Sequence, residues 1–179
     1  MMAQKSIMWA YMAEEEAVLH TLLQDPSIEK TAQAFCPKVK SICFVAHGSS
    51  YNAAVSTAGF IARTAGVRTS CITPANFLYN NASLLLEDRD TALVVAISQT
   101  GTSSGVLSAL REAKRLGFQT LGITDVASSP MAAEPDRVLF LRCGEEDSNA
   151  KTKGYSATLL LLMRFGIHLG LAKGAITKA

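Results

Sequence analysis

The chain has 179 residues, of which 49% are apolar and 18% are charged, and its formal net charge is +2. This length suits one domain with a substantial core and is too short for two domains of ordinary size, while the composition excludes a disordered chain. Because the lysines and arginines are scattered and form no stripe with interleaved aromatic residues, the sequence argues against binding of nucleic acid.

Two helices are predicted before the first strand, over residues 7–23 and 28–35. Pro26 and Pro37 mark their ends, because a proline disfavours helical backbone in the residue before it. The first helix is expected to carry its apolar side chains on one side, namely Met8, Met12, Leu19, Leu22 and Leu23. The residues Met8, Trp9, Tyr11 and Met12 fit either an interface with a partner or packing on the chain's own sheet.

From Ser41 onwards, apolar strands alternate with helical segments. Strands are expected at residues 41–46, 67–72, 92–98, 119–124 and 138–141. Helices are expected at residues 50–65, just after Pro74, at 103–116 and at 153–171. This alternation predicts an α/β fold, a three-layer αβα sandwich around a five-stranded parallel sheet with the flavodoxin-like order 2-1-3-4-5. Residues 38–179 are expected to form the domain and residues 1–37 an N-terminal helical segment.

The four cysteines lie far apart in the sequence and form no C-x-x-C pair. They are Cys36, Cys43, Cys71 and Cys143. Three of them are expected in strands or at strand ends, where cysteine behaves as a small buried hydrophobic residue. This usage favours a reducing cytoplasm and predicts neither a disulfide framework nor a metal site.

No part of the chain is predicted to enter a membrane. The start carries three consecutive glutamates, at positions 14–16, where a signal peptide would need an apolar core. The longest apolar stretch, residues 155–172, contains Arg164 and His168 and is short for a membrane span. We therefore expect a cytoplasmic protein that uses no metal or other cofactor.

Two hydroxyl-rich loops follow the first and third predicted strands, at residues 47–50 and 98–104. Both strands are apolar at every position, which is typical of parallel strands covered by helices on both faces. In such sheets ligands bind beyond the carboxyl ends of strands, where neighbouring connections diverge to opposite faces. Hydroxyls at Ser98, Thr100 and Ser103, together with the free N–H groups of a helix start, would suit a phosphate.

An ordinary structural explanation exists for each loop, since a strand-to-helix turn needs a glycine and a capping Ser or Thr. The second loop holds five hydroxyls, an amide and a glycine, which is far more than one cap requires. Neither loop reads G-x-G-x-x-G or has the spacing of a P-loop, so the pattern predicts neither a dinucleotide site nor nucleotide hydrolysis.

A third segment, residues 145–153, precedes the last predicted helix. The segment fits a solvated loop of mixed charge as well as it fits a part of the pocket. Lys151 and Lys153 at a helix start are electrostatically unfavourable unless an anion is nearby. This favours the interpretation that the segment is a part of the pocket. His47 fits a polar residue at a strand end better than a group that polarises a substrate oxygen.

Three motifs resemble those of a family of phosphosugar-binding modules. The run H-G-S-S-Y-N at residues 47–52 is similar to C-G-T-S-Y-N, and S-Q-T-G-T-S at 98–103 is similar to S-Q-S-G-E-T. The run K-T-K-G-Y at 151–155 is similar to S-T-K-A-F. On these motifs the chain resembles a SIS (sugar isomerase) domain. It is most like the first isomerase domain of glucosamine-6-phosphate synthase (glutamine–fructose-6-phosphate aminotransferase) and related fructosamine or amino-sugar phosphate deglycases.

The resemblance implies specific roles for residues at matching positions. The phosphate would be held by Ser50, Ser98, Gln99, Thr100 and Ser103. Gly48 would allow the phosphate to approach closely, Ser49 would reach a sugar hydroxyl, and the backbone around Asn149 would contact the amino or carbonyl end of the sugar. The ligand implied is a hexose or amino-sugar 6-phosphate.

Departures from the motifs favour deglycase-like relatives over the synthase itself. His47 replaces a cysteine and Thr102 replaces a glutamate, while Asn149 and Lys151 are more polar than the synthase pattern. Members of this subtype carry two SIS domains in tandem, and their general base and ring-opening acid lie in the second. Neither group is found here, so the chain is expected to belong to a two-domain enzyme or to pair as a homodimer. A single-domain oligomeric ketose/aldose phosphate isomerase and a non-catalytic sensor of sugar phosphates remain alternatives.

Overall fold

The protein is described by a computed structural model that covers residues 7–36, 38–80, 82–148 and 150–178. Five strands are present: β1 (Ser41–Ala46), β2 (Arg68–Ile72), β3 (Ala92–Ile97), β4 (Gln119–Thr124) and β5 (Arg137–Phe140). The long helices are α1 (Ile7–Gln24), α2 (Pro26–Phe35), α3 (Gly48–Ala65), α6 (Ser104–Arg115) and α8 (Lys153–Ala172). Three short helices complete the described elements: α4 (Pro74–Tyr79), α5 (Ala82–Leu85) and α7 (Pro130–Ala133).

All five strands pair in parallel in the order β2-β1-β3-β4-β5, which confirms the predicted topology. The central strands β1 and β3 are buried at every position, as their uninterrupted apolar sequences predict. Their register pairs Ala46 with Ile97, so both strands end at the same level of the sheet. The loops that follow them therefore start side by side.

Helices cover the two faces of the sheet unequally. One face packs against α2, α3 and α8, and α1 lies outside α8. This side of the sheet holds the largest cluster of buried apolar side chains, which includes Leu22, Ile28, Ile61 and Phe165. The opposite face packs against α4 and α6 through smaller clusters that contain Phe77 and Leu110. The result is the predicted three-layer sandwich. Because β1 leads into α3 and β3 leads into α6, the two connections leave the sheet on opposite faces.

The predicted apolar side of α1 is wrong in part. Only Val18 and Leu22 of this helix are buried, whereas Met12 and Leu23 are 48% and 51% exposed. The helix lies outside α8 and contacts it along a narrow stripe, so its remaining apolar side chains have no core to enter. Two short helices, α5 and α7, were not predicted, because segments of four residues carry too little periodicity to be recognised.

The last helix, α8, is the core helix of its face of the sheet. Among the described residues, α8 is the one helix whose length and apolar composition would allow it to cross a bilayer. It packs against α1, α2 and α3, and Leu161, Leu162, Phe165 and Leu169 are buried there. Its apolar character is thus explained by its neighbours in the fold.

His168 on α8 predicts how stability depends on pH. Burial and the neighbouring Arg164 lower the pKa of His168 below its usual 6.5; Lys178 acts in the same direction, while Glu29 opposes. Below about pH 6.5 the unfolded chain therefore binds a proton that the folded chain resists, and the free energy of unfolding falls as the pH falls. Urea unfolding of the wild type at pH 7 and pH 5 should show this loss, and His168→Gln should reduce it. His20→Gln, the same substitution at an exposed site on α1, is the matched control.

Candidate functional site

The two hydroxyl-rich loops meet in one cavity at the carboxyl ends of β1 and β3. Its volume is about 150 Å³. The lining residues are His47, Ser49, Ser50, Ile97, Ser98, Gln99, Thr100, Ser103, Val106 and Lys151. Six of the eight residues predicted for the site are therefore brought together, and Gly48 lies between two lining residues as the first residue of α3. Asn149 lies outside the described residues.

Two helix N-termini point their backbone N–H groups into this region. The residues that precede α3 and α6 are His47 and Ser103, and neither side chain makes a capping hydrogen bond to its own helix in the described structure. By contrast, Asp25 caps α2 and Thr73 caps α4. The N-termini of α3 and α6 thus retain donors and partial positive charge for an anion. Among the described residues that line the cavity, none is acidic, whereas Lys151 is cationic.

A larger cleft lies elsewhere, along the edge of the sheet formed by β1 and β2. Its volume is about 380 Å³, and Cys43, Ile72, Leu84 and Ala92 are among its apolar residues. Its main polar groups are already paired, because Ser41 Oγ and Arg68 donate to the Glu87 carboxylate at 2.8 and 2.7 Å. This cleft is larger than the cavity at the ends of β1 and β3, but it lacks the converging free donors that the smaller cavity has.

The loop after β3 is held in place by β4 and the segment that follows it. The Gln99 carbonyl accepts hydrogen bonds from Asp125 N at 2.9 Å and Thr124 Oγ1 at 3.2 Å. Gly101 has a φ of +69°, and a Cβ there would lie 2.0 Å from Ser129 Oγ, so only glycine fits. These contacts fix the positions of the hydroxyls at Thr100 and Ser103. The loop is a preformed part of the cavity.

Gln99 lines the cavity, yet its side-chain amide bonds to a third loop, residues 141–152, which leads into α8. Nε2 donates to Cys143 Sγ at 3.4 Å, and the side chain also bonds to Glu146. Burial, with Asp125 and Glu146 nearby, raises the pKa of the Cys143 thiol to about 12, so this sulfur adds no negative charge beside the cavity at neutral pH. Gln99 therefore connects the predicted phosphate loop to the segment before α8.

The third loop, residues 141–152, is organised by the buried carboxylate of Glu146. Its Oε1 accepts from Thr152 N at 2.5 Å and Thr152 Oγ1 at 2.8 Å, and its Oε2 accepts from Gly154 N at 3.1 Å. Burial raises the pKa of Glu146, but these hydrogen bonds outweigh burial and lower it below the usual 4.5. A carboxylate at the start of α8 is also favoured by the helix dipole.

Glu146 and Glu14 explain why two lysines are tolerated at the start of α8. Lys151 Nζ donates to the backbone carbonyl of Glu146, and Lys153 Nζ pairs with Glu14 Oε2 at 2.5 Å. Glu14 thus supplies an anion for Lys153 within the chain, whereas Lys151 bonds to a backbone carbonyl and still reaches the cavity. Sequence reasoning missed the organising role of Glu146. An acidic residue a few positions before a helix start could have indicated it, although Glu145 and Asp147 offered the same pattern.

Comparisons with known proteins now decide the family. The SIS domain family matches residues 37–167. The chain belongs to this family. The glutamine–fructose-6-phosphate aminotransferase of Helicobacter pylori (strain J99) is 31% identical over 144 residues, which are 80% of this chain and 24% of that protein. The chain therefore spans about a quarter of the length of this aminotransferase.

Solved structures place this SIS domain beside larger proteins with the same fold. A protein of Clostridium difficile 630 assigned as a phosphosugar isomerase is 25% identical with a TM-score of 0.87, over 97% of this chain and 48% of that one. The C-terminal domain of glucosamine-fructose-6-phosphate aminotransferase from Francisella tularensis is 28% identical with a TM-score of 0.82, over 98% of this chain and 50% of that one. The predicted family and fold class are both confirmed, and the chain spans about half of each of these structures.

Proposed function

We propose that this SIS domain binds the phosphate group of a hexose or amino-sugar 6-phosphate in the cavity between β1 and β3. The observation that carries the proposal is the convergence of two uncapped helix N-termini with the hydroxyls of Ser50, Ser98 and Ser103. Hydroxyls and backbone N–H groups are the donors that phosphate oxygens accept from, and the cavity adds the positive charge of Lys151. Gly48, with a φ of +55° and open space where a Cβ would lie, leaves room for the ligand.

The reaction class we propose is that of a sugar-phosphate isomerase, aminotransferase or deglycase. Relatives with the first two activities support it. Isomerisation needs a base over the C1–C2 bond and an acid at the ring oxygen. Among the described residues that line the cavity, His47 and Lys151 are ionisable and no carboxylate is present. We therefore place the base in a second SIS domain or in a second copy of the chain, within a cytoplasmic assembly. His47, Thr102 and Lys151, which depart from the synthase motifs, favour a deglycase.

Calorimetric titration with fructose 6-phosphate and glucosamine 6-phosphate tests the binding proposal. The double variant Ser50→Ala/Ser103→Ala removes one hydroxyl from each loop. Neither hydroxyl has a role in capping its own helix, so the variant should fold. Two hydrogen bonds to a charged group are together worth about 3 kcal/mol or more, which corresponds to binding that is about 100-fold weaker.

The matched control is Ser104→Ala/Ser108→Ala, which removes two exposed hydroxyls of α6 that do not line the cavity. Its affinity should equal that of the wild type. Unphosphorylated fructose should bind neither to the wild type nor to the control variant. No binding of either 6-phosphate to the wild type, or equal binding by the Ser50→Ala/Ser103→Ala variant, would show that the cavity is not a phosphate site.

Turnover is tested separately from binding. The 179-residue chain is incubated with fructose 6-phosphate, and formation of the aldose is followed with time. A base in a second SIS domain predicts binding without appreciable turnover, and this is the result we expect. Rapid turnover would instead place the base in a second copy of the chain and would favour a single-domain oligomeric isomerase.

A further inference from the structure

The N-terminal helix α1 holds the third loop, although α1 lies outside residues 37–167 that match the SIS family. Tyr11 Oη accepts a hydrogen bond from Asp147 N at 2.8 Å. Glu14 Oε2 pairs with Lys153 Nζ at 2.5 Å, and Ser156 Oγ donates to Glu15 Oε1 at 2.9 Å. Three hydrogen bonds from one side of α1 therefore join this helix to the third loop and to the first turn of α8.

Lys153 is the most buried part of this connection. Its side chain is 5% exposed, and Nζ lies 4.7 Å from the centre of the Tyr11 ring. Burial lowers the pKa of Lys153, but the hydrogen bond and charge of Glu14 outweigh burial and raise the pKa above its usual value. A buried ammonium that has one carboxylate partner and one aromatic face has little freedom to move. Its position fixes the start of α8.

The residues held by α1 flank Lys151 on both sides in the sequence. Asp147 lies four residues before Lys151 and Lys153 two residues after it. Lys151 lines the cavity, and its ammonium donates to the Glu146 carbonyl beside Asp147. A shift of α1 would therefore move both anchors of the loop segment that carries Lys151. The cavity and α1 share this loop.

We infer that α1 is a positioning element of the ligand site, and that Tyr11 and Glu14 set the place of Lys151 through Asp147 and Lys153. This inference rests on the proposed function, since it concerns the same cavity. Because coupling between two sites is reciprocal, a ligand that contacts Lys151 should also stabilise the packing of α1. Neither Tyr11 nor Glu14 lines the cavity, so their effect on binding passes through the loop.

The variant Tyr11→Phe/Glu14→Gln tests the inference, with Glu16→Gln as the control for the same change at an exposed position of α1. Titrations with fructose 6-phosphate and glucosamine 6-phosphate are run at a temperature where circular dichroism shows each protein to be fully folded. A purely structural role would lower the melting temperature and leave the dissociation constant of the folded protein unchanged. We expect the double variant to bind about 5-fold more weakly or worse, within the usual range of coupling between sites, and Glu16→Gln to bind as the wild type does.

Amide hydrogen exchange supplies the reciprocal measurement. In the wild type, saturating sugar phosphate should slow exchange in α1, and in the double variant this protection should be lost. Unchanged affinity in the double variant, or wild-type α1 exchange that does not respond to ligand, would overturn the inference while leaving the proposed function intact. A wild type that binds neither 6-phosphate would overturn the proposed function, and the inference with it.

Discussion

Replacing Glu146 by glutamine is expected to lower the free energy of unfolding by about 2–4 kcal/mol, since it removes a buried charge that accepts several hydrogen bonds. Its carboxylate accepts from Thr152 N, Thr152 Oγ1 and Gly154 N. An amide NH₂ in place of one oxygen would face a donor in the first turn of α8. The same change should weaken binding of fructose 6-phosphate by about 10-fold or more, which corresponds to 1.4 kcal/mol. Gln99 and the start of α8 lose the carboxylate to which both bond, and the loop that carries Lys151 loses its support.

The matched control for this variant is Glu145→Gln, the same substitution at the exposed neighbouring position. It should change neither stability nor affinity measurably. Urea unfolding and calorimetric titration of both variants make the comparison. If Glu146→Gln were as stable as Glu145→Gln, the carboxylate would not be the group that organises the third loop.

The destabilisation by Glu146→Gln should also depend on pH. The folded-state pKa of Glu146 lies below its usual 4.5, so its stabilising effect is fully present above pH 4.5 and is lost as the pH falls through the folded-state pKa. The difference in unfolding free energy between the wild type and the variant should therefore be largest near neutral pH and should shrink below pH 4.5. A difference that grew on acidification would contradict this sign.

Gly101→Ala is expected to destabilise the fold by about 2–4 kcal/mol and to abolish phosphate binding, through strain and steric overlap. The φ of +69° alone costs an alanine about 1 kcal/mol. The added Cβ would also lie 2.0 Å from Ser129 Oγ and 2.7 Å from Thr124 Oγ1. Relief of that overlap has to move the loop from Ser98 to Ser103, which provides the hydroxyls of the proposed site.

Gly174→Ala provides a close control, because Gly174 has a φ of +68° and no atom within 4 Å of the position of an added Cβ. Both variants carry the same backbone penalty, so the difference between them measures the overlap at Gly101. Thermal unfolding and titration with fructose 6-phosphate give the two readouts. Equal destabilisation by the two substitutions would mean that the loop around Gly101 accommodates the added methyl group with no loss of stability beyond the backbone penalty.

The two hydroxyl-rich loops could be predicted from the sequence because every feature that defines them is local. Two fully apolar strands, each followed by glycine and hydroxyls, identify strand-to-helix connections of a parallel sheet. The strand order then places the loops after β1 and β3 side by side, and the register of Ala46 with Ile97 shows that they are. The pattern itself pointed to Ser98, Thr100 and Ser103. The roles of the other predicted site residues came from the resemblance to SIS motifs, and Asn149 among them lies outside the described residues.

The third loop could not be predicted in the same way, because its conformation depends on residues distant in the sequence. Three acidic residues, 145–147, precede α8, and the sequence does not distinguish Glu146, which is buried, from Glu145, which is exposed. The choice follows from Gln99, which bonds to Glu146 from the loop after β3. Glu14, which neutralises Lys153, lies 139 positions away.

The sequence by itself predicted the α/β class and the two loops that we propose to bind phosphate, since apolar periodicity and turn residues act over a few positions. The family was indicated by the resemblance of three short motifs to those of SIS domains. The tertiary structure decided how the cavity is completed. It placed Lys151 in the lining of the cavity and buried the Glu146 side chain within the third loop. It also packed α1 against that loop. These outcomes depend on desolvation and on pairing of charges between distant segments, and those energies exist only once the chain has folded.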